Sequence, residues 1–275
     1  MMRTLSLLLV VSTVLISCST QFGKVLKNKD NEYKYKMAEQ YYAKGKYSNA
    51  QQLFEDLFPY IKGTNRFEDM YYKYAYTAYY QKDYANAENL FKSFRETFPT
   101  SPKSEEAEYM RAYSFYKQSP KIELEQTNTQ KAISLMQVFI NQYPNSTRVK
   151  EATKIIDEGR QKLETKEFKS AALYYNLGYF RAAAVAYTTL IENYPDSDRA
   201  DEYKLNVIKA YYKFAEMSIV EKQQERYEKV ISEVEDFNDR FPESKYVTEV
   251  NTYRTLSSNN IKNIQDEQAK KANQL

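Results

Sequence analysis

Gly178-Tyr179-Phe180-Arg181-Ala182-Ala183-Ala184-Val185-Ala186-Tyr187, followed seven residues later by Tyr194-Pro195-Asp196-Ser197, decides the fold of this chain. A turn residue, an aromatic, an alanine three positions on and an aromatic four further describe a tight turn entering a helix. The alanine marks where two helices come closest, and the second aromatic lies on the same helical face. The same pattern recurs as Gly45-Lys46-Tyr47 with Ala50 and Phe54, and as Asp83-Tyr84 with Ala87 and Phe91. The closing string recurs as Phe98-Pro99-Thr100-Ser101, Tyr143-Pro144-Asn145-Ser146 and Phe241-Pro242-Glu243-Ser244; from Pro99 to Pro242 the intervals are 45, 51 and 47. Proline cannot continue a helix, and the residue before it avoids helical backbone. The serine then offers an oxygen to cap the next helix. Each closing string therefore reads as the exit from one helix and the entry to another.

The combined pattern resembles the tetratricopeptide repeat. Small residues also fall at the expected first-helix position, at Ala38, Ala75 and Ala171. Pro99 and Pro195 close two of these units, whereas Pro59 comes early in the first. A third unit, from about Glu105 to Pro144, has Ala132 and Phe139 in its second helix and an insertion around Ser119-Pro120. A fifth, from about Arg199 to Pro242, has Tyr227 and Phe237 and an insertion around Glu221–Glu225. A long helix is expected after Thr147. The expected fold is all-α: about five helix-turn-helix units over residues 31–258, stacked as a tetratricopeptide superhelix with a concave face. A polar segment, residues 259–275, follows as a frayed or disordered tail.

The N-terminus carries a different signal. Arg3 precedes an apolar run from Leu5 to Ile16, about 12 residues, where a bilayer span needs roughly 20. Residues 1–17 read as a secretory signal. Leu15-Ile16-Ser17-Cys18, with the only cysteine of the chain, resembles a bacterial lipobox. That resemblance implies that Cys18 becomes the mature N-terminus, carrying S-diacylglycerol and an N-acyl chain such as palmitate, with residues 18–30 as lipidated end and linker. Several acyl chains would hold the protein at a membrane, where one gives only marginal binding. No aspartate follows Cys18, so the sorting rule for such lipoproteins favours the outer membrane, with the body in the periplasm.

Composition excludes more than it proposes. The chain has no His and no Trp, but 28 Tyr. Without His, the commonest general base and metal ligand are missing, and no Ser–His–Asp arrangement can form. No metal site, soluble cofactor or glycine-rich phosphate loop is expected. A net charge of +3 is too small to argue for nucleic acid. Glu105-Glu106 and Glu233/Glu235 read as solvated helix faces rather than catalytic pairs. The protein is expected not to be an enzyme.

Aligned on the repeat, the first helices place Tyr35, Glu39 and Tyr42, then Asp69, Tyr72, Tyr76, Tyr79 and Tyr80, then Phe168 and Tyr175, on the groove side. Tyrosine offers an apolar ring and a hydroxyl at low entropy cost, which suits peptide binding. It is equally a packing residue between repeat helices, and spacing alone leaves both roles open for Tyr35, Tyr42, Tyr72, Tyr76, Tyr79 and Tyr80.

A lipobox cysteine, a short linker and about five such units together resemble the BamD-type family of outer-membrane protein assembly lipoproteins. The resemblance covers roughly residues 18–255. It is tightest over Leu163-Glu164, Glu167, Ala171, Tyr174-Tyr175, Gly178-Tyr179, Ala182-Ala183 and Ile191 to Ser197. It implies a non-catalytic component of the β-barrel assembly machinery. The C-terminal repeats would dock on a periplasmic POTRA domain of the barrel insertase. The N-terminal repeats would contact aromatic-rich signals of unfolded outer-membrane proteins. A different periplasmic tetratricopeptide lipoprotein, a scaffold for envelope or cell-division proteins, shares fold and location and differs in partner.

Overall fold

The computed structural model describes residues 21–272, and all regular structure among them is helical. Cys18 and the signal segment lie outside the described residues. After a short helical segment at residues 21–26 come α1 (Asn31–Ala43), α2 (Tyr47–Ile61), α3 (Phe67–Tyr80), α4 (Tyr84–Thr97), α5 (Ser104–Lys117) and α6 (Thr127–Gln142). Then follow α7 (Val149–Asn176), α8 (Phe180–Asn193), α9 (Ala200–Glu216), α10 (Val220–Arg240) and α11 (Val247–Ala272). This is the expected tetratricopeptide arrangement of antiparallel helix pairs. No helix among the described residues is long and apolar enough to cross a membrane. The chain divides into two compact units between Arg160 and Gln161, inside the long helix α7.

The turn within each pair follows from backbone geometry. Gly45 and Gly178 have φ of +70° and +80°, and Lys82 occupies the same place at +63°. Around each, the chain folds back by the same two bonds. Lys46 N–H donates to Tyr41 O at 2.8 Å, Asp83 N–H to Ala78 O at 3.0 Å and Tyr179 N–H to Tyr174 O at 2.9 Å, while the left-handed residue itself donates three residues back. This is the Schellman termination, which satisfies orphan carbonyls and favours glycine. The alanines at the turns are fully buried: Ala50, Ala87 and Ala183 are 0 % exposed, as are Ala38, Ala75 and Ala171 facing them. Phe54, Phe91, Tyr187, Ala132, Phe139, Tyr227 and Phe237 are core residues too.

The exits from the pairs are equally regular. Phe98, Tyr143, Tyr194 and Phe241 end their helices with φ between −128° and −132° and ψ between 52° and 63°. The following serine is not the formal N-cap. Its Oγ instead accepts from the backbone two residues on: Lys103 N–H to Ser101 at 3.0 Å, and Arg148, Arg199 and Tyr246 to Ser146, Ser197 and Ser244 at 3.1 Å. Its hydroxyl reaches back to the preceding pair, where Ser101 donates to Glu68 at 2.6 Å, Ser244 to Asp201 at 2.7 Å and Ser197 to Glu164.

Four expectations are refined. Pro59 lies inside α2, which continues to Ile61. The residues around Glu221–Glu225 form no loop but lengthen α10 to 21 residues. The Ser119-Pro120 insertion is a loop, held by the buried Gln126 amide donating to Lys121 O at 2.7 Å and Leu124 O at 2.9 Å. The polar stretch after Asn259 remains helical to Ala272, because Ile261 and Ile264 keep one face of α11 on the core of the second unit.

Candidate functional site

In the first unit, α1, α3 and α5 repeat with a period of 37 residues, visible in Glu32/Asp69/Glu106, Tyr35/Tyr72/Tyr109 and Ala38/Ala75/Ala112. Each junction between pairs puts a cation over the ring of the preceding first helix. Arg66 lies 5.4 Å from the Tyr35 ring, Lys103 5.4 Å from Tyr72 and Arg148 4.7 Å from Tyr109. The same cations pair with the repeating carboxylates: Arg66 with Glu32 at 2.7 Å, Lys103 with Asp69 at 2.9 Å and Arg148 with Glu106 at 2.7 Å. Lys73 sits between Glu39 and Asp69 at 2.5 and 2.6 Å. Burial opposes it, but the hydrogen bonds from Lys103 and Lys73 hold the Asp69 carboxyl below its ordinary range. Charge on this face is thus matched internally, and what remains available is aromatic.

Tyr42, Tyr72, Tyr76, Tyr79 and Tyr80 form one connected set of rings, and Tyr35 stands apart from them beneath Arg66. Tyr80 stacks on Tyr47 at 4.5 Å and meets Tyr42, Tyr76 and Tyr79 edge-on or tilted at 6.4, 5.6 and 5.6 Å. Tyr76 packs on Phe91 at 5.0 Å and Tyr72 at 4.9 Å; Tyr79 reaches Tyr113 at 6.2 Å. Tyr80 is 45 % exposed, while Tyr35, Tyr42, Tyr72, Tyr76 and Tyr79 are half-buried. Each of these five has one edge in the packing between helices. The Tyr76 hydroxyl donates to Glu106 at 3.1 Å. Burial first, then the neighbouring Tyr72 and Glu106, push the Tyr76 phenol far above its usual range; burial takes Tyr79 up to about 12. These phenols are neutral hydrogen-bonding groups at ordinary pH.

The second unit repeats the junction once, with Arg199 4.5 Å from the Phe168 ring and 5.2 Å from Tyr203, and it enlarges the buried ion pair that the first unit makes between Lys34 and Asp56. Lys204, 6 % exposed, is paired with both Glu233 and Asp236, and Lys229 meets Glu233 at 2.5 Å. This unit exposes large apolar side chains at two of its turns. Leu173, Tyr174, Leu177, Tyr179 and Val185 are between 43 % and 62 % exposed, and Met217, Ile219 and Val220 between 51 % and 74 %. Tyr174, Tyr179, Phe180, Val185 and Phe214 line an open cleft of about 680 Å³ at the α7–α8 turn. A second cleft shares Arg181 and Phe214 with it and runs along α10 past Arg226 and Lys229. Arg226 lies 3.9 Å above the Phe214 ring. Sequence reading missed these apolar turns. Their signal was Leu177 beside the turn glycine and Met217 and Ile219 between two helices, apolar residues where a loop needs none.

A family model described as an outer membrane lipoprotein, YfiO, matches residues 27–221, well over half of the chain. The chain belongs to this family. The match runs from the short linker through α9 and stops as α10 begins, so the buried Lys204 lies inside it and its partners Glu233 and Asp236 beyond it. No curated protein matches the chain. Among solved structures, it is similar to the TPR2AB-domain:pHSP90 complex of yeast Sti1, at 12 % identity and a TM-score of 0.40, covering 83 % of this chain and 98 % of that one. It is also similar to the yeast histone chaperone Hif1, described as a scaffold protein, at 11 % identity and a TM-score of 0.28, covering 72 % and 94 %. The family is one of outer membrane lipoproteins, and the helix-pair architecture is one used for protein–protein interaction.

Proposed function

We propose that this protein is a non-catalytic component of the outer-membrane β-barrel assembly machinery, anchored by acylation of Cys18 and facing the periplasm. In this reading its second unit docks on a POTRA domain of the barrel insertase. Its first unit receives unfolded outer-membrane proteins on the tyrosine surface. The family assignment supports the compartment. The observation that carries the two-partner reading is the contrast between exposed apolar side chains at two turns of the second unit and a hydroxyl-bearing aromatic face on the first. Contiguous apolar surface on a folded protein marks an interaction site. A half-buried row of rings suits a segment that varies in sequence but is rich in aromatics, since each ring offers both a face and a hydroxyl. No nucleic acid, metal or soluble cofactor enters the mechanism, which is binding and positioning with no bond made or broken.

Affinity purification of the tagged, full-length protein from gently solubilised envelopes tests this. A stoichiometric partner carrying POTRA repeats and a C-terminal barrel is the expected result. A cell-wall enzyme or division protein in its place would move the function to a different envelope scaffold.

A further inference from the structure

The helical segment at residues 21–26 folds back along α1. Val25 is 2 % exposed in the core of the first pairs, and the Phe22 ring meets Tyr41 at 5.7 Å, near the C-terminal end of α1. The chain therefore enters the fold at the edge formed by the α1–α2 turn. Lys46 lies over the same Tyr41 ring at 5.8 Å. The Tyr47–Tyr80 stack sets the α3–α4 turn beside this one, and Tyr79–Tyr113, with Lys117 over Tyr113 at 5.9 Å, adds the end of α5. This edge presents Lys24, Lys44, Lys46, Lys82 and Lys117. Of the acids at these turns, Asp83 caps α4 by accepting from Asn86 N–H at 3.3 Å, and Glu123 and Glu125 lie in the loop after α5, where Glu125 accepts from Thr127 N–H at 2.9 Å. Lys24, Lys44 and Lys82 are exposed and make no ion pair among the described residues, whereas Arg66, Lys103 and Arg148 on the opposite edge are each paired with carboxylates.

Phe22 lies four positions after Cys18, a reach of at most about 14 Å at roughly 3.3–3.6 Å per residue. That is under two Debye lengths at about 8 Å each in physiological salt. We infer that the turn edge of the first unit, with Lys24, Lys44 and Lys82, is a lipid-facing surface that binds anionic headgroups and lays the repeats against the membrane that holds the anchor. The inference rests on acylation at Cys18 for its geometry, but the basic edge has its own affinity. An anchored domain seated this way would hold its tyrosine surface at a fixed height, where a free tether would let it tumble.

The test uses the mature chain, residues 18–275 with Cys18→Ala, so that neither an acyl chain nor the apolar signal segment contributes, sedimented with phosphatidylcholine vesicles with and without phosphatidylglycerol. Binding that requires phosphatidylglycerol and is released by salt is expected. Each of Lys24→Gln, Lys44→Gln and Lys82→Gln should lower partitioning about fivefold, and the triple variant by roughly a hundredfold. Lys62→Gln, on the opposite edge, should change nothing. Circular dichroism confirms that each variant is folded. No anionic-lipid binding, or equal binding by the triple variant, overturns the inference. Mass spectrometry of the N-terminal peptide of the native protein reads acylation separately, so an absent lipid and a non-binding edge are distinguishable.

Discussion

The first unit joins its helix pairs through three ring–cation contacts where the second has one, and each unit ties a first helix to its second through a buried ammonium, Lys34 to Asp56 in the first and Lys204 to Glu233 and Asp236 in the second. Tyr35, Tyr72 and Tyr109 each lie beneath a cation from the next pair, and Tyr42, Tyr76, Tyr79 and Tyr80 continue the contact along the face. In the second unit Lys204 takes two carboxylates from α10. The turn alanines and exit angles are the same in both. The repeat thus fixes backbone geometry and leaves the junction chemistry free. The scaffolds of the two units are alike while their surfaces diverge.

The largest expected effect separating them is alkaline. Burial raises phenols throughout the first unit, among them Tyr42, Tyr72, Tyr74 and Tyr76, while Tyr79 there and Tyr187, Tyr203 and Tyr227 in the second unit reach about 12. A raised folded value means the unfolded chain ionises first. The stability these groups contribute is complete below about pH 10 and is lost as pH rises through the folded values. Hydrogen exchange with rising pH should show α3 and α4 opening before α9. Simultaneous opening would erase the contrast.

Next in size is Lys204→Ala, which leaves Glu233 to Lys229 and Asp236 to Arg240, removes a buried charge-assisted pairing and should cost about 1.5–3 kcal/mol. Denaturant unfolding measures the loss, and exchange should localise it to α9 and α10. Burial opposes it, yet the hydrogen bonds from Lys204 and Lys229 hold Glu233 below its ordinary range, so this part of the stability is present above about pH 4.5 and lost as pH falls through the lower folded value. Shared geometry should respond alike in both units. Ala87→Leu and Ala183→Leu should each cost roughly 1–3 kcal/mol by overpacking, and a large difference would mean the turns are not equivalent. The smallest effect is a gain: Lys82→Gly relieves a left-handed lysine and should add about 1 kcal/mol in thermal unfolding.

The helix pairs were legible in the sequence because glycine, alanine and proline act through local backbone and steric rules. Gly45, Gly178 and the four aromatic–proline exits needed no tertiary knowledge. The Asp83 turn was legible too, although the residue in the left-handed position, Lys82, gives no signal of its own. The latch from Ser101 to Glu68, the Arg148 clamp on Tyr109 and the buried Lys204 were not legible, since each joins residues 29 to 39 positions apart whose types suit an exposed face equally well. The site was legible only as a set of tyrosines. Tyr72 and Tyr76 each touch both a core phenylalanine and the outer face, so the choice between packing and groove was not one that spacing could make.

Site-specific photo-crosslinking in the native host, with the probe at Leu177 in one variant and at Tyr80 in another, tests the two-partner reading most directly. The account predicts a POTRA-bearing barrel protein captured from Leu177 and newly exported outer-membrane proteins captured from Tyr80. Capture of the same partner from both positions, or of a cell-wall enzyme from Leu177, would contradict it.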